Sequence, residues 1–339
     1  MVIFTLVNPL DICDLNMNHF INNVPTYRTN LLADIAEMYF IEGKSQNEIA
    51  EFIGVSRSNI SRMLKEARSS GIVQISIDRP LDEDINLAEK LIKRFNLINA
   101  RVINVGQSVN YMRLLGKAAS QELISAIKPG TIIGTSWGTG ISTTVDELEN
   151  ITSIQDIKVI QLLGALGARI KEYDAHSIVN RLAKKLGAEG YYINAPFLVD
   201  ENSTADSLLK NRNIQETIQL GKQADIALLG VGSTEDAYCS FFKADYVTRN
   251  EIEGIQQAGA IGDVCGRFFD KNGQMTAKSF QEKLIGISLQ DLLHIPVRLG
   301  IAGGPAKIQP IIGALRGRLI NSLVSDSKTI SEVLNRTSG

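Results

Sequence analysis

The stretch SQNEIAEFIGVSRSNISRML, residues 45–64, contains two helical patterns separated by a single glycine. Ser45 is followed three residues later by Glu48, a capping-box spacing that predicts the start of a first helix. Gly54 is expected to end that helix, because glycine adopts the left-handed backbone that a sharp turn requires. Ser56 can then cap a second helix. The spacing therefore predicts a helix-turn-helix.

The second helix of this motif has an apolar side and a polar side. Its apolar residues recur at helical spacing and are expected to face a core: Ile60, Met63, Leu64 and Ala67. Its other side chains are short hydrogen-bonding groups and cations, the types that contact bases and phosphates in a major groove. The predicted DNA-binding residues are Ser45, Gln46, Ser56, Arg57, Ser58, Asn59, Ser61, Arg62 and Lys65. The alternative is an ordinary amphipathic hairpin with a solvated face; the shared register of caps, glycine and apolar positions favours double-stranded operator DNA as a partner.

The chain is too long for one hydrophobic core, since single cores rarely exceed about 250 to 300 residues. Within its 339 residues, we expect an N-terminal extension over 1–26 and a winged helix-turn-helix domain over 27–80. The wing is expected from the period-two pattern of residues 71–77. A linker helix is predicted over 81–99, followed by a larger domain over 100–339. We expect the linker helix to pack on the larger domain, with a subunit contact as the alternative.

Composition limits the other classes of function. Lys and Arg total 35 against 37 Asp and Glu, so positive charge is local to the second helix. The three cysteines are widely spaced and the three histidines stand apart, which predicts neither disulfides nor a metal site, and no cofactor is expected. No apolar run approaches the roughly 18 residues of a membrane span. We expect a cytoplasmic protein without a signal peptide, starting at Met1 or Met17.

Beyond residue 99 the pattern alternates between strands and helices, which predicts an α/β fold with a mostly parallel sheet. The predicted strands are 100–105, 131–134, 158–163, 190–195, 226–230, 297–302 and 319–325. The predicted helices are 112–127, 142–149, 176–187, 206–221, 278–285, 305–316 and 328–336.

Ligands of such sheets bind where strands end and helices begin. The clearest connection of this kind is GTSWGTG, residues 134–140, where glycines, hydroxyls and a helix start suit a phosphate. Lys307 lies early in a helix opened by Pro305, a position that favours a cation only if an anion is bound. Asp263, in a glycine-rich stretch, can accept hydrogen bonds from sugar hydroxyls. The alternatives are a plain connection, a solvated lysine and a turn-forming aspartate.

Glycine-rich segments recur after other strands and are expected to converge on one edge of the sheet. They are residues 162–167, 229–233, 259–266 and 300–307.

Several of these segments, in one order, resemble the SorC family of bacterial sugar-responsive transcriptional regulators. They are KSQNEIA (44–50), VSRSNISRML (55–64), ARSSGIV (67–73), GTSWGTG (134–140), GAIGDVCGRFFD (259–270), IAGGPAK (301–307) and ALRG (314–317).

The resemblance implies an effector domain similar to phosphosugar isomerases and sugar-phosphate deaminases, and a phosphorylated sugar or polyol as effector. It also implies tetramers on DNA, and we expect a homo-oligomer, either a dimer or a tetramer. Some members carry a lysine for covalent sugar binding where this chain has Thr139, which argues against a Schiff base here. The implied effector-binding residues are Ser136, Trp137, Gly138, Thr139, Gly140, Gln161, Asp263 and Lys307.

The competing class is a sugar-phosphate isomerase or deaminase with a fused helix-turn-helix. Such chemistry requires a base close to the reacting carbon. Deaminases of this type carry an aspartate, glycine and histidine cluster where residues 230–237 read GVGSTEDA, without a histidine. The sequence therefore favours a regulator without catalytic residues.

Overall fold

A computed structural model of the chain describes residues 25–73, 80–106, 110–165, 173–243 and 246–337. Two compact units divide at Arg79 and Pro80. The N-terminal extension up to residue 24 and residues 74–77 of the expected wing lie outside the described residues.

The first unit contains three helices in its described part. They are α1 (Pro25–Phe40), α2 (Gln46–Ile53) and α3 (Arg57–Ser69). The capping box predicted at the start of α2 is present, since the Ser45 side chain accepts from the Glu48 amide and Glu48 accepts from the Ser45 amide. Gly54 ends α2 in the left-handed region, with φ 77° and ψ 32°. The Ser56 side chain then caps α3 through the Asn59 amide.

A small apolar core holds these three helices together. Its buried side chains come from all three of them and include Leu32, Ile35, Ala36, Ile49, Ala50, Ile60, Leu64 and Ala67. A two-contact ion pair from Arg28 on α1 to Glu66 on α3 lies at the edge of this core. The helix-turn-helix prediction is confirmed.

The second unit begins with α4 (Ile85–Phe95), the helix expected between the domains. It packs against β1 (Asn99–Ile103) and against the last helix of the chain. The segment before α4 is tied to β1 as well, because the Asp84 amide donates to the Val102 carbonyl and Arg101 pairs with Glu83. These contacts make α4 part of the larger unit; its role as a subunit contact stays a prediction.

A seven-stranded sheet forms the centre of this unit. Besides β1 its strands are β2 (Ile132–Thr135), β3 (Lys158–Gln161), β4 (Glu189–Tyr191), β5 (Ile226–Gly230), β8 (Val297–Ile301) and β9 (Ser322–Asp326). The strand order is β1-β9-β8-β5-β2-β3-β4, and neighbouring strands are all parallel. The predicted α/β class is confirmed.

Helices cover both faces of the sheet, as its parallel pairing requires. One face packs against α5 (Tyr111–Ala126), α6 (Thr139–Glu147) and α7 (Ala175–Leu186). The other face packs against α4, α14 (Ile308–Arg316) and α15 (Ser327–Arg336). The remaining helices are α8 (Asn202–Leu209), α9 (Arg212–Lys222), α10 (Ser240–Lys243), α11 (Arg249–Gln257), α12 (Lys278–Gln281) and α13 (Leu289–Leu293). None of the helices in the described ranges is long and apolar enough to cross a membrane.

The structure corrects three predicted segments. The single helix expected over 206–221 is two helices, because the Asn211 side chain accepts from the Asn213 and Ile214 amides and starts α9 there. The glycine-rich stretch 259–266 is not a loop after a sheet strand. It contains the first strand and the turn of a separate antiparallel hairpin, which pairs β6 (Gly262–Val264) with β7 (Arg267–Phe269). Lys307 ends a short 3-10 turn, Pro305–Lys307, instead of lying inside an α-helix.

Candidate functional site

The predicted DNA-binding residues lie on one exposed side of α3 and at the start of α2. Most of them are exposed, whereas Gln46 and Asn59 are partly buried. Ser45, Gln46 and Arg57 line one shallow cleft, which brings the start of α2 next to the start of α3.

Some of these polar side chains already have partners within the unit. Ser45 and Ser56 cap helices, and the Ser56 and Ser58 hydroxyls lie 2.9 Å apart. The Arg62 guanidinium donates to Asn59 Oδ1 at 2.5 Å, and the Asn59 amino group donates to none of the described residues. The side chains of Arg57, Ser61 and Lys65 are exposed, as contact with a groove would require.

A cavity in the larger unit lies where the connections after β2, β5 and β8 meet. The connection after β2 contributes residues 136–140, and the connection after β5 contributes residues 230–232. The connection after β8 contributes residues 301–303 and Lys307. The hairpin contributes Asp263 and Cys265. The carboxyl ends of neighbouring parallel strands share one edge of a sheet, and this places the three connections around one space.

The start of α6 forms one wall of this cavity. Gly138 stands at the N-cap position with φ 131°, and no side chain caps the helix. The amides that follow Gly138 have no acceptor within the helix, as at any helix start, and they carry the positive end of the helix dipole. Ser136 and Trp137, both buried, line the same wall. The absence of a side chain at Gly140 lets the start of α6 lie close to β8, because a Cβ at position 140 would lie 3.2 Å from Ile301 Cγ2.

Asp263 enters the cavity from β6. The hairpin is fixed to the connection after β5, since the Gly232 amide donates to the Asp263 carbonyl at 2.8 Å and Val231 bridges to Val264. The Asp263 side chain is 8% exposed and accepts a 3.3 Å hydrogen bond from the Gly266 amide. Burial raises the pKa of this carboxyl to about 6, against the opposing effects of Lys307 and of the Gly266 hydrogen bond.

Lys307 faces the same cavity from the turn that precedes α14. Burial lowers the pKa of its amino group, while the negative charge of Asp263 acts in the opposite direction. The two groups influence each other's pKa but form no ion pair among the described residues. Each therefore keeps hydrogen-bonding capacity for a third molecule between them.

The cavity brings together seven of the eight predicted effector-binding residues, Gln161 excepted. Gln161 is fully buried on β3, where its Nε2 donates to the Leu163 carbonyl and its Oε1 has no partner among the described residues. The segment 162–167, expected to converge here, does not line the cavity in its described part, and residues 166–167 lie outside the described residues.

Three further lining residues lie outside every segment that the sequence analysis predicted to meet here: Tyr111, Met112 and Ser240. Tyr111 and Met112 open α5, the helix that follows β1, so the strand-end rule could have found them. Cys265 is buried with a pKa raised to about 12 by that burial, so it is a poor nucleophile and serves as part of the wall.

Two family models match the chain. Residues 79–335 match the family described as "Putative sugar-binding domain", and residues 33–70 match Sigma-70, region 4.

Several known proteins are similar along most of the chain. The deoxyribonucleoside regulator of Bacillus subtilis strain 168 is 30% identical over 312 residues, covering 91% of this chain and 98% of that protein. The transcriptional regulator LsrR of Enterobacter sp. strain 638 is 29% identical, covering 90% of this chain and 92% of the relative. The crystal structure of the full-length sorbitol operon regulator SorC from Klebsiella pneumoniae matches with a TM-score of 0.69 at 28% identity, covering 91% and 99% of the two chains. With its helix-turn-helix and its sugar-binding domain on a parallel sheet, the chain belongs to the SorC family of bacterial sugar-responsive transcriptional regulators.

Proposed function

We propose that this transcriptional regulator is controlled by a phosphorylated sugar or polyol, bound in the cavity between the start of α6 and the β6-β7 hairpin. The observation that carries the proposal is the placement of Lys307 and Asp263. A buried carboxyl group and a partly buried amino group face one cavity without pairing to each other, beside a helix start that no side chain caps.

The phosphate is assigned to the end of the cavity formed by residues 136–140 and Lys307. Free amides at a helix start donate hydrogen bonds to phosphate oxygens, and the helix dipole favours negative charge there. A lysine in a partly dehydrated site adds a charge-assisted contact. Binding of a dianion would also favour the charged form of Lys307, whose pKa burial now lowers.

The sugar body is assigned to the Asp263 end. Oδ2 of Asp263 accepts from the Gly266 amide, and Oδ1 accepts no hydrogen bond from the described residues. A carboxylate is an acceptor only, so the fitting partners are hydroxyl donors of a sugar or polyol. The names of two relatives, a deoxyribonucleoside regulator and a sorbitol operon regulator, are consistent with a polyhydroxylated effector.

The exposed side of α3 is proposed to read the operator. Phosphate contacts from its cations would position the helix, and Arg57 and Asn59 would contact base edges. The effector can change operator affinity only by as much as its own affinity differs between the DNA-competent and DNA-incompetent states.

Calorimetry of the full chain with Lys307→Ala tests the effector site, using a panel of sugar and polyol monophosphates. Loss of a charge-assisted contact of about 1.5 to 3 kcal/mol predicts a roughly ten- to hundredfold lower affinity. Operator binding without effector should be unchanged. Lys210→Ala is the matched control, because Lys210 is exposed at the end of α8 and does not line the cavity.

Two outcomes would contradict the assignment. If Lys307→Ala bound the tightest ligand of the panel as well as the parent, the phosphate would lie elsewhere. If Lys210→Ala lost as much affinity as Lys307→Ala, the effect would be a general loss of positive charge.

We further propose that the cavity binds its effector without converting it. The cavity lining contains no histidine among the described residues, and the relatives are named as regulators. Chromatography of each sugar phosphate after long incubation with the protein should return the starting compound. Isomer or released ammonia, formed in proportion to protein concentration, would support the enzyme alternative.

We also propose that the protein acts as a dimer or tetramer. One helix-turn-helix contacts about one operator half-site, so two or more such domains are required for a typical specific affinity for operator DNA. Light scattering with and without operator DNA tests this, and a monomer under both conditions would contradict it.

A further inference from the structure

The turn that carries Lys307 is short and has no side-chain cap. Gly304 stands at its N-cap position with φ 97° and ψ 162°, and Pro305 opens the turn. Inside the turn, the Lys307 amide donates to the Gly304 carbonyl at 3.0 Å. A 3-10 turn has poorer hydrogen-bond geometry than an α-helix, so three residues of it are weakly held by themselves. Contacts from other elements therefore decide where this turn lies.

The Gly304 amide is bound by two side chains at the end of β9 and the start of α15. It donates to Asp326 Oδ2 at 2.9 Å and to Thr329 Oγ1 at 2.8 Å. The Thr329 hydroxyl donates to Asp326 Oδ2 at 2.6 Å, and the Thr329 amide donates to Oδ1 at 2.8 Å. Both residues are buried, and hydrogen bonds to a carboxylate are stronger than those to a neutral acceptor. Asp326 therefore caps α15 and binds the turn with the same carboxylate.

The backbone before Lys307 lies in direct contact with this carboxylate. A Cβ added to Gly303 would stand 2.6 Å from Asp326 Oδ2 and 2.8 Å from Leu115 Cδ1. A Cβ added to Gly304 would stand 3.3 Å from the Tyr111 hydroxyl. The chain thus passes between Asp326 and two side chains of α5, with no room for a side chain at position 303.

The Asp326 carboxylate is connected to Lys307 through a single residue. Gly304 donates its amide to Asp326 and accepts the Lys307 amide on its carbonyl. A shift of Gly304 would therefore move the backbone of Lys307, whose side chain lines the cavity. Neither Asp326 nor Thr329 is among the described residues that line the cavity. Any effect of these two residues on a bound molecule would pass through the turn.

From these contacts we propose that Asp326 and Thr329 are positioning residues for effector binding, which hold the turn over 303–307 so that the Lys307 amino group contacts the phosphate. The proposal rests on the proposed function, which assigns the phosphate to Lys307. A lysine carries its charge on a flexible stem, so a fixed backbone limits the places that the charge can reach. Binding groups need this kind of support, because small displacements cost affinity.

Asp326→Asn removes one acceptor and keeps the helix cap, since asparagine caps helices about as well as aspartate. If the remaining oxygen still accepts from the Thr329 amide, an amino group takes the place of Oδ2 and faces the Gly304 amide, which is also a donor. Calorimetry of the full chain uses ribose 5-phosphate, glucose 6-phosphate, sorbitol 6-phosphate and inorganic phosphate. We expect the affinity of every compound that the parent binds to fall about tenfold. Asp84→Asn is the matched control and should bind like the parent, because Asp84 caps α4 through the Leu87 amide.

Thr329→Val removes the hydroxyl at nearly constant shape. The same four compounds should bind about threefold to tenfold more weakly, because the Gly304 amide loses one of its two acceptors. Thr329→Ser keeps a hydroxyl and should restore the parent affinity. Thr337→Val is the matched control at the end of the same helix, where the Thr337 hydroxyl donates to the Val333 and Leu334 carbonyls. If Thr329→Ser bound as weakly as Thr329→Val, the hydroxyl would not be the group that holds the turn.

A double-mutant cycle separates positioning from a general loss of structure. If Asp326 acts through Lys307, Asp326→Asn should weaken binding about tenfold in the parent and by less than about threefold in the Lys307→Ala background. A substitution that only loosened the domain would lower the affinity by the same factor in both backgrounds. Equal factors would therefore overturn the proposal.

Hydrogen exchange measures the same contact with no ligand present. The Gly304 amide should exchange slowly in the parent, since it is hydrogen-bonded to two buried groups. In Asp326→Asn, a peptide spanning residues 302–308 should exchange about tenfold faster. A peptide from β5 serves as the internal control and should keep its rate. Equal rates for residues 302–308 in the variant and the parent would show that Asp326 does not hold the turn.

Failure of this inference is distinguishable from failure of the phosphate site. If none of the four phosphate compounds bound the parent, the proposed function would be wrong and this inference with it. If the parent bound one of them and Lys307→Ala weakened it, while Asp326→Asn and Thr329→Val bound it as tightly as the parent, the phosphate site would stand and the positioning role alone would be refuted.

Discussion

Asp263→Asn should make the protein without effector more stable at neutral and alkaline pH. The Asp263 carboxyl is buried, accepts one 3.3 Å hydrogen bond and forms no ion pair among the described residues. Its pKa is raised from 3.8 to about 6 by that burial. Keeping it ionised in the folded state therefore costs free energy that a neutral amide of the same shape does not.

The sign and size of this effect follow from proton linkage. A group whose pKa is higher in the folded state contributes stability that is fully present below about pH 3.8 and is lost as the pH rises through about 6. The difference between these two pKa values corresponds to about 3 kcal/mol at pH 8. By the same relation, the free-energy cost of the buried Asp263 carboxyl at pH 5 is about half of its value at pH 8.

Urea unfolding of the protein without effector, at pH 8, 6.5 and 5, measures this difference. The single tryptophan of the chain, Trp137, is 7% exposed beside the cavity, so its fluorescence reports unfolding of the larger unit. We expect Asp263→Asn to exceed the parent by about 3 kcal/mol at pH 8 and by about half as much at pH 5. The control Asp236→Asn, at an ion-paired carboxylate that does not line the cavity, should not be more stable than the parent.

A difference between variant and parent that did not change between pH 8 and pH 5 would refute the reasoning. It would mean that the carboxyl titrates alike in the folded and unfolded states. A variant that was less stable than the parent at pH 8 and equally stable at pH 5 would reverse the sign and show that the ionised carboxylate is stabilised by groups around it.

Substitutions at Arg57, Gly54 and Gly232, the two glycines each with a comparison variant, test the helix-turn-helix and the cavity. Arg57→Ala should keep the fold and weaken specific operator binding by about 1 to 3 kcal/mol; unchanged affinity in an anisotropy titration would remove Arg57 from the interface. Gly54→Val should destabilise the helix-turn-helix by about 1 to 3 kcal/mol because φ is 77° there, whereas Gly54→Asn should be milder, and circular dichroism melting compares them. Gly232→Ala should displace the Asp263 carboxylate and weaken effector binding by about tenfold or more, while Gly254→Ala, with open space around its Cβ, should not; equal affinities by calorimetry would show that the carboxylate can move freely.

The helix-turn-helix could be predicted because all of its signals are local. The capping box at Ser45 and Glu48, the glycine at 54 and the cap at Ser56 each act within one turn of helix, so their spacing in the sequence is their spacing in space. The parallel sheet could be predicted for a similar reason, since buried strands are short apolar runs and their helices have apolar stripes.

Short elements with mixed composition were harder to predict. Asn211 falls inside an apolar helical pattern, and only the hydrogen bonds of its side chain show that a new helix begins there. The strands of the β6-β7 hairpin have three residues each, too short for a period-two pattern to stand out from the glycines around them. The spacing of Thr248 and Glu251 is a local capping-box signal for the start of α11, a helix that the predicted elements do not include.

By itself, the sequence determined the helix-turn-helix, the parallel sheet, the family and the glycine-rich strand-to-helix connection over 136–140, because each depends on residues close together in the chain. Only the tertiary structure decided that Asp263 and Lys307 face one cavity, that the Asp263 carboxylate fills the space that a side chain at Gly232 would take, and that Gln161 does not line that cavity. The physical reason is that burial and charge pairing depend on every element packed around a group. The pKa of Asp263 is set by the β5 connection, the hairpin and the turn before α14 together, and sequence spacing does not record how those segments meet.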